Sequence, residues 1–245
     1  MSLQGKVALV TGASTGIGRA VALRLGADGA NVVVSYGSDA EGASQVVNEI
    51  GADNALAVQA DAAKPADLER LIDQTVSRFG KIDMLVNSAG VMDMGPLEVM
   101  TEGAFDRIFN INVKAPLLLC QKAVPHMSPG SRIVLFSTTL CTASTVPPHY
   151  LLYVASKGAI EQATRVLAKD LGKKGITVNA VAPGPTSSKG FHANQTDESL
   201  KMAAKLNPHG RIGEPDEIAD AVAFLCTDAS RWVTGQTLRV NGGMA

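Results

Sequence analysis

The sequence predicts an α/β protein: a Rossmann-type doubly wound parallel sheet of about seven strands with helices on both faces, in one domain over residues 1–245. Three observations predict it. Short apolar runs alternate with longer stretches of helical periodicity along the whole chain, the runs are apolar at every position rather than every second one, and a glycine-rich turn joins the first run to the first helix. A strand apolar on both sides needs cover on both, as inside a parallel sheet with crossover helices. At 245 residues the chain is long for one domain, but open α/β sheets reach this size around one core that needs no disulfide or structural metal. We find no internal repeat, low-complexity segment or linker.

The elements follow in order. The first strand lies at 7–10, and Ile17, Val21 and Leu25, four residues apart, mark the apolar face of a helix that ends across 26–31. A strand at 32–34 completes a βαβ unit. The alternation continues with a helix at 40–50, a strand at 55–60, a helix at 65–79 and a strand at 84–86. One long helical region covers 101–126, before a strand at 133–136, a helix at 150–171 and a strand at 177–182. After Pro183-Gly184-Pro185 the pattern weakens, recovering as a short helix at 197–206. A last helix at 215–226 has Pro215 at its first turn, where a missing N–H costs nothing, and precedes a strand at 237–240.

Composition narrows the function. Lys plus Arg number 22 against 23 Asp plus Glu with no block of one sign, and aromatic residues are only 4%, so nucleic acid is not an expected partner. Cys120, Cys141 and Cys226 form no CxxC pair and His126, His149, His192 and His209 are too scattered to share a metal, so three structural thiols and no metal site are expected. Residues 1–6 show no secretory pattern and no apolar run approaches the roughly 18 residues of a membrane span, which predicts a soluble protein of the reducing cytoplasm, with a small molecule as its partner.

The turn after the first strand reads Thr11-Gly12-Ala13-Ser14-Thr15-Gly16-Ile17-Gly18. Glycine lets a ligand approach where a Cβ would stand, and the first amides and dipole of a helix attract an anion. The segment therefore predicts a pyrophosphate cradle, with Gly12, Ser14, Thr15, Gly16, Ile17 and Gly18 binding a dinucleotide. Further on, Tyr153 and Lys157 stand four apart on one helix and share a face. An ammonium beside a phenol stabilises the phenolate and lowers its pKa from about 10, giving an acid that also serves as a base.

The spacing of Gly12, Gly16 and Gly18 differs from GxGxxG and resembles the TGxxxGxG signature of short-chain dehydrogenases/reductases. The resemblance extends over residues 6–243 and includes Asn87-Ser88-Ala89-Gly90, Tyr153-x-x-x-Lys157 and Pro183-Gly184. It implies an NAD(P)(H)-dependent oxidoreductase that moves a hydride between nicotinamide and a carbonyl or alcohol, of the carbonyl or 3-oxoacyl reductase kind. It also implies a homotetramer, for which Ala155, Gly158, Ala159 and Ala163 offer a close-packing surface. By the same resemblance Asp61 and Ala62 flank the adenine, and Asn87, Ala89 and Gly90 line the cofactor, with Ser88 in place of a commoner asparagine. Pro183, Gly184 and Thr186 meet the nicotinamide and open a substrate-covering segment at 186–206. Tyr153 is then the general acid/base, Lys157 its tuner and a ribose ligand, and Asn112 the holder of a relay water.

Two assignments stay open. The family usually places a serine after its fifth strand, where this chain reads Phe136-Ser137-Thr138-Thr139; counting forward selects Thr138, counting back from Tyr153 comes closer to Thr139, and Ser137 is a third choice. Thr138 is preferred. The second strand runs on to Tyr36-Gly37-Ser38 without the carboxylate that would bind ribose hydroxyls, and Ser14, Tyr36 and Ser38 offer hydroxyls to a phosphate. NADP(H) is therefore favoured over NAD(H), unless Asp39 turns back. The competing reading is a nucleotide-binding scaffold without catalysis, suggested only by threonine in the serine position.

Overall fold

The computed structural model describes residues 2–188, 191 and 196–245. Its strands are β1 (Val7–Thr11), β2 (Asn31–Tyr36), β3 (Ala55–Gln59), β4 (Met84–Asn87), β5 (Arg132–Phe136), β6 (Thr177–Pro183) and β7 (Thr237–Val240). All pair in parallel, in the order β3-β2-β1-β4-β5-β6-β7. The helices are α1 (Gly16–Ala27), α2 (Ala40–Ile50), α3 (Pro65–Phe79), α4 (Glu102–Phe109), α5 (Ala115–Ala123), α6 (Leu151–Gly172), α7 (Asp197–Lys205) and α8 (Pro215–Leu225).

Apolarity on both sides of the strands divides the core in two. Ala8, Val10, Val32, Val34 and Val86 pack with Val21 and Leu25 of α1, Val46 of α2 and Val222 of α8. Leu9, Val33, Leu85 and Ile133, their neighbours in sequence, pack with Leu68 and Leu71 of α3, Leu119 of α5 and Ile160 of α6. Each fully buried Leu or Val removes apolar area worth about 1.5–3 kcal/mol, so the alternation of faces fixes the register as well as the layers. Pro65 and Gly80 bound α3, and Pro215 opens α8, as their backbone preferences dictate.

The long helical region at 101–126 is not one helix. It runs as α4, a π-turn over Asn110–Lys114, α5 and a 3-10 turn over Val124–His126. Pro116 has no amide to give the Asn112 carbonyl, so an unbroken i→i+4 ladder is impossible there, and the backbone widens until Ala115 N–H reaches the Asn110 carbonyl. The widened turn also lets the buried Asn112 side chain reach across to another segment.

Strand order changes direction between β1 and β4, and crevices form beyond the C-terminal strand ends at such a switch point. The two ends are tied there. Thr11 Oγ1 donates to Asn87 Oδ1 at 2.8 Å and accepts from Ala89 N–H at 3.1 Å, so β1 and the segment after β4 open onto the crevice as one unit.

Candidate active site

A crevice of about 1440 Å³ lies over these strand ends. At one end the turn after β1 feeds α1. A Cβ on Gly18 would stand 2.1 Å from the Gly12 carbonyl oxygen, and Gly12 itself has φ +63°, so both positions need glycine. Thr15 makes no side-chain cap and the first turn of α1 holds no acid, which leaves its leading amides for an anion. An uncapped, acid-free helix start behind a turn too tight for side chains fits a dinucleotide pyrophosphate.

Gly12, Thr15, Gly16, Ile17, Gly18, Ala89 and Gly90 line this crevice, as do Thr138, Tyr153, Lys157, Pro183, Gly184 and Thr186. Ser14 lines an adjoining cavity of about 620 Å³ with Arg19 and Asp39. Asp39 accepts from Gly42 N–H at 3.0 Å as the N-cap of α2, and Arg19 pairs with Glu49. Tyr36, Ser38, Asp61 and Ala62 border neither cavity: Tyr36 packs against the core, and Asp61 accepts from Ala63 N–H and pairs with Lys64. Asn87 is buried in its link to Thr11 rather than lining the crevice. Of the expected covering segment 186–206, residues 189, 190 and 192–195 lie outside the described residues; α7 lines the crevice with Ser199, Met202 and Ala203.

The chemical end is built by β5 and α6. Lys157 is 6% exposed, and its Nζ donates to the Phe136 carbonyl at 2.9 Å. A Cβ on Gly90 would lie 3.3 Å from that Nζ and 3.2 Å from Asn112 Oδ1, so glycine lets three segments meet. Asn112 donates to the Val91 carbonyl at 2.8 Å and to Ser156 Oγ at 3.0 Å, and accepts from Val91 N–H at 2.8 Å. Both its N–H donors are committed, so its side chain has none left to give a relay water.

The three consecutive hydroxyls separate cleanly. Ser137 donates to Glu161 at 2.8 Å, toward α6, and Thr139 accepts from Asn241 at 2.7 Å. Thr138 accepts from Leu140 N–H at 3.4 Å and is the one of the three whose hydroxyl acts on the Tyr153 phenol, drawing its pKa down. The structure thus brings Thr138, not Thr139 or Ser137, to the phenol.

The expected direction of the Tyr153 shift is wrong. Burial around its hydroxyl pushes the phenol up to about 12, the Thr138 hydrogen bond partly offsets this, and the neighbouring Cys141 and Tyr150 add to it. Lys157 does not reverse the shift because its Nζ is drawn to Phe136 and stands 5.9 Å from the Tyr153 ring centre. Burial also pulls the lysine down to about 8.

Sequence reasoning missed Ser156, which fixes Asn112, and the wall residues His149, Tyr150 and Met244, which Met202 of the expected covering segment joins. Ser156 was legible as the residue before Lys157 on the buried side of α6. The wall residues come from three separate segments and carry no local signal.

The family described as Enoyl-(Acyl carrier protein) reductase matches residues 12–245. A short-chain dehydrogenase/reductase of Pestalotiopsis microspora is 44% identical over 255 residues, covering 98% of this chain and 96% of that protein. The chain belongs to the short-chain dehydrogenase/reductase family. This short-chain dehydrogenase/reductase is also 41% identical to versicolorin reductase of Emericella nidulans, over 98% of this chain and 96% of that one. Among solved structures it is similar to the angucycline C-6 ketoreductase LanV with bound NADP, with a TM-score of 0.93, 41% identity and coverage of 99% and 96%. It is an NAD(P)-dependent oxidoreductase.

The glycine cradle yields a direct expectation. Gly18→Ala forces its Cβ into the Gly12 carbonyl and should weaken NADPH binding by at least about a hundredfold, read from nicotinamide fluorescence, with the fold retained by circular dichroism. Binding at the original strength would show that the cradle does not hold the pyrophosphate.

Proposed function

We propose that this short-chain dehydrogenase/reductase is an NADP(H)-preferring carbonyl reductase acting in the cytoplasm on flat, largely apolar ketones of the aromatic polyketide type. The observation that carries the reading is that Thr138, Tyr153 and the buried Lys157 ammonium line one crevice with the glycine cradle. Each of the two hydroxyls has one proton, which a substrate oxygen lying between them would accept. The relatives support the substrate class, since a versicolorin reductase and an angucycline ketoreductase are similar to this chain over nearly its whole length. The wall of Met92, Met94, Met202 and Met244 supports it too, because thioethers adapt to and contact aromatic faces.

Gly12, Gly16 and Gly18 would hold the pyrophosphate, Gly90 and Lys157 the nicotinamide ribose, and Pro183, Gly184 and Thr186 the nicotinamide. When bound, the nicotinamide supplies or accepts the hydride. In the reductive direction Tyr153 gives its proton to the oxygen of the forming alcohol while Thr138 donates a second hydrogen bond to that oxygen. A phenol raised to about 12 keeps its proton until negative charge grows on the substrate oxygen. With both side-chain donors of Asn112 committed, its main-chain carbonyl, to which Pro116 has no N–H to give, is the place for a relay water. The scaffold reading loses its one support, because Thr138 keeps a hydroxyl in the crevice that Tyr153 lines.

NADP(H) is favoured because the Asp39 carboxylate is engaged as a helix cap while Ser14 and Thr15 remain at the adjoining cavity, and the similar ketoreductase holds NADP. We also propose a homotetramer. β7 is an edge strand carrying the exposed Leu238, with Trp232 nearby at 95% exposure, while Phe105, Leu117 and Leu151 leave apolar side chains exposed on α4, α5 and α6. Three cysteines without a disulfide suit the reducing compartment, and no helix among the described residues is long and apolar enough to cross a membrane.

NADPH oxidation against a panel of polycyclic, acyl-thioester and small ketones, with enoyl thioesters included, should show turnover on the polycyclic ketones and a clear preference for NADPH over NADH. Tyr153→Phe should lower kcat/KM by about a thousandfold on the same substrate. Turnover of enoyl thioesters alone, or an active Tyr153→Phe variant, would reject the assignment. Assembly has its own reporter, because Trp232 is the chain's only tryptophan. Light scattering should give a tetramer whose tryptophan emission shifts to the red on dilution; a monomer with red emission at every concentration rejects it.

A further inference from the structure

Asn241, directly after β7, is 8% exposed and lies outside the motifs that gave the resemblance, Gly12–Gly18, Asn87–Gly90, Tyr153–Lys157 and Pro183-Gly184. Three of the four hydrogen-bonding positions of its amide are in use. Nδ2 donates to Thr139 Oγ1 at 2.7 Å and to the main-chain oxygen of Ala245 at 3.0 Å, while Oδ1 accepts from Gly243 N–H at 3.0 Å. Two of these partners are main-chain groups of fixed polarity, so the orientation of the amide is set by them, and neither aspartate nor a hydroxyl could replace it.

The same residue meets the substrate wall. Its carbonyl accepts from Asn207 Nδ2 at 2.9 Å, and Asn207, two residues beyond the end of α7, is held in turn by His209 N–H at 2.8 Å. A Cβ on Gly184 would lie 3.0 Å from the Asn241 Cα, so the turn after β6 packs directly on it. Three parts of the crevice therefore converge here: the turn carrying Thr138, the end of α7 carrying Met202, and the tail carrying Met244. Thr139 is itself 2% exposed and precedes nothing but its own 3-10 turn, so its bond to Asn241 fixes where the adjacent Thr138 lies.

We infer that Asn241 is a positioning residue, which through Thr139 holds the Thr138 hydroxyl against Tyr153 and through Asn207 sets the substrate wall relative to that pair. The inference rests on the proposed roles of Thr138 and Tyr153. It separates two kinds of effect: the Thr139 branch governs the rate of the chemical step, and the Asn207 branch governs substrate binding.

The test uses Thr139→Val, which keeps the shape and removes the hydroxyl, Thr139→Ser, which restores it, Asn241→Ala and Asn207→Ala. Thr139→Val and Asn241→Ala should each lower kcat by about tenfold with NADPH affinity unchanged, and their double variant should be no worse than the weaker single one. Both should move the alkaline limb of the pH profile for alcohol oxidation upward, because the phenol loses a well-placed Thr138. Thr139→Ser should recover the kcat, and Asn207→Ala should raise KM with kcat nearly kept. If Asn241→Ala does not fold, the Thr139 pair carries the test. Thr139→Val with an unaltered kcat and pH profile overturns the inference, as do losses that multiply in the double variant. A Tyr153→Phe control that stays active in the same assay would instead overturn the underlying assignment of the phenol.

Discussion

The Lys157 ammonium is buried against the Phe136 carbonyl, and a charge taken out of water has to be compensated by fixed polar groups or lose its proton. That requirement organises the neighbourhood. The carbonyl belongs to the last residue of β5, so the contact ties the middle of α6 to the end of a central strand. Gly90 gives the amine room, since a Cβ there would crowd both the amine and the Asn112 side chain on its other flank. An ammonium has three donors, of which Phe136 takes one, and the others are available to oxygens that enter the crevice.

The hydroxyls beyond β5 show the same economy of placement. Leaving a strand for a 3-10 turn sends Ser137, Thr138 and Thr139 in three directions, toward Glu161, Tyr153 and Asn241. Ser137 holds the strand end to α6, and Thr139 holds the turn to the end of β7. The hydroxyl between them meets the phenol because its neighbours are fixed on either side. Threonine at that position keeps the donor and adds a methyl that restricts rotation.

The fold was legible because two-sided burial leaves a two-sided apolar pattern, so residues such as Leu9 and Val10 announce a covered strand before its partners are known. The π-turn was not foreseen, although Pro116 was in view, because apolar periodicity continues across it. The hydroxyl register was undecidable from counting, since a loop of unknown path separates Phe136 from Tyr153. Asp61 and Ala62 were assigned by resemblance, and Tyr36 and Ser38 by the hydroxyls they offer at a strand end; the path of the loops between them carries no periodic signal. The direction of the Tyr153 shift was misjudged for a plain reason. Four-residue spacing shows that two groups share a helix face, but it does not reveal how much water surrounds each one.

The titration of Lys157 tests the buried ammonium most directly. Its amine drops from 10.5 to about 8 on folding, so between those values the unfolded chain holds a proton that the folded chain does not. The cost of burying the charge is fully present below about pH 8 and disappears as pH rises toward 10.5. Cys120 and Cys226, pushed up to about 12, and Tyr153 act in the opposite sense in alkali, so the quantity to measure is the difference in unfolding free energy between the native chain and Lys157→Met. Urea titrations from pH 7 to 10.5 should show the native chain gaining on the variant steadily above about pH 8. A difference that stays constant across that range would mean that Lys157 is not a buried cation, and the account of the site built on it would be wrong.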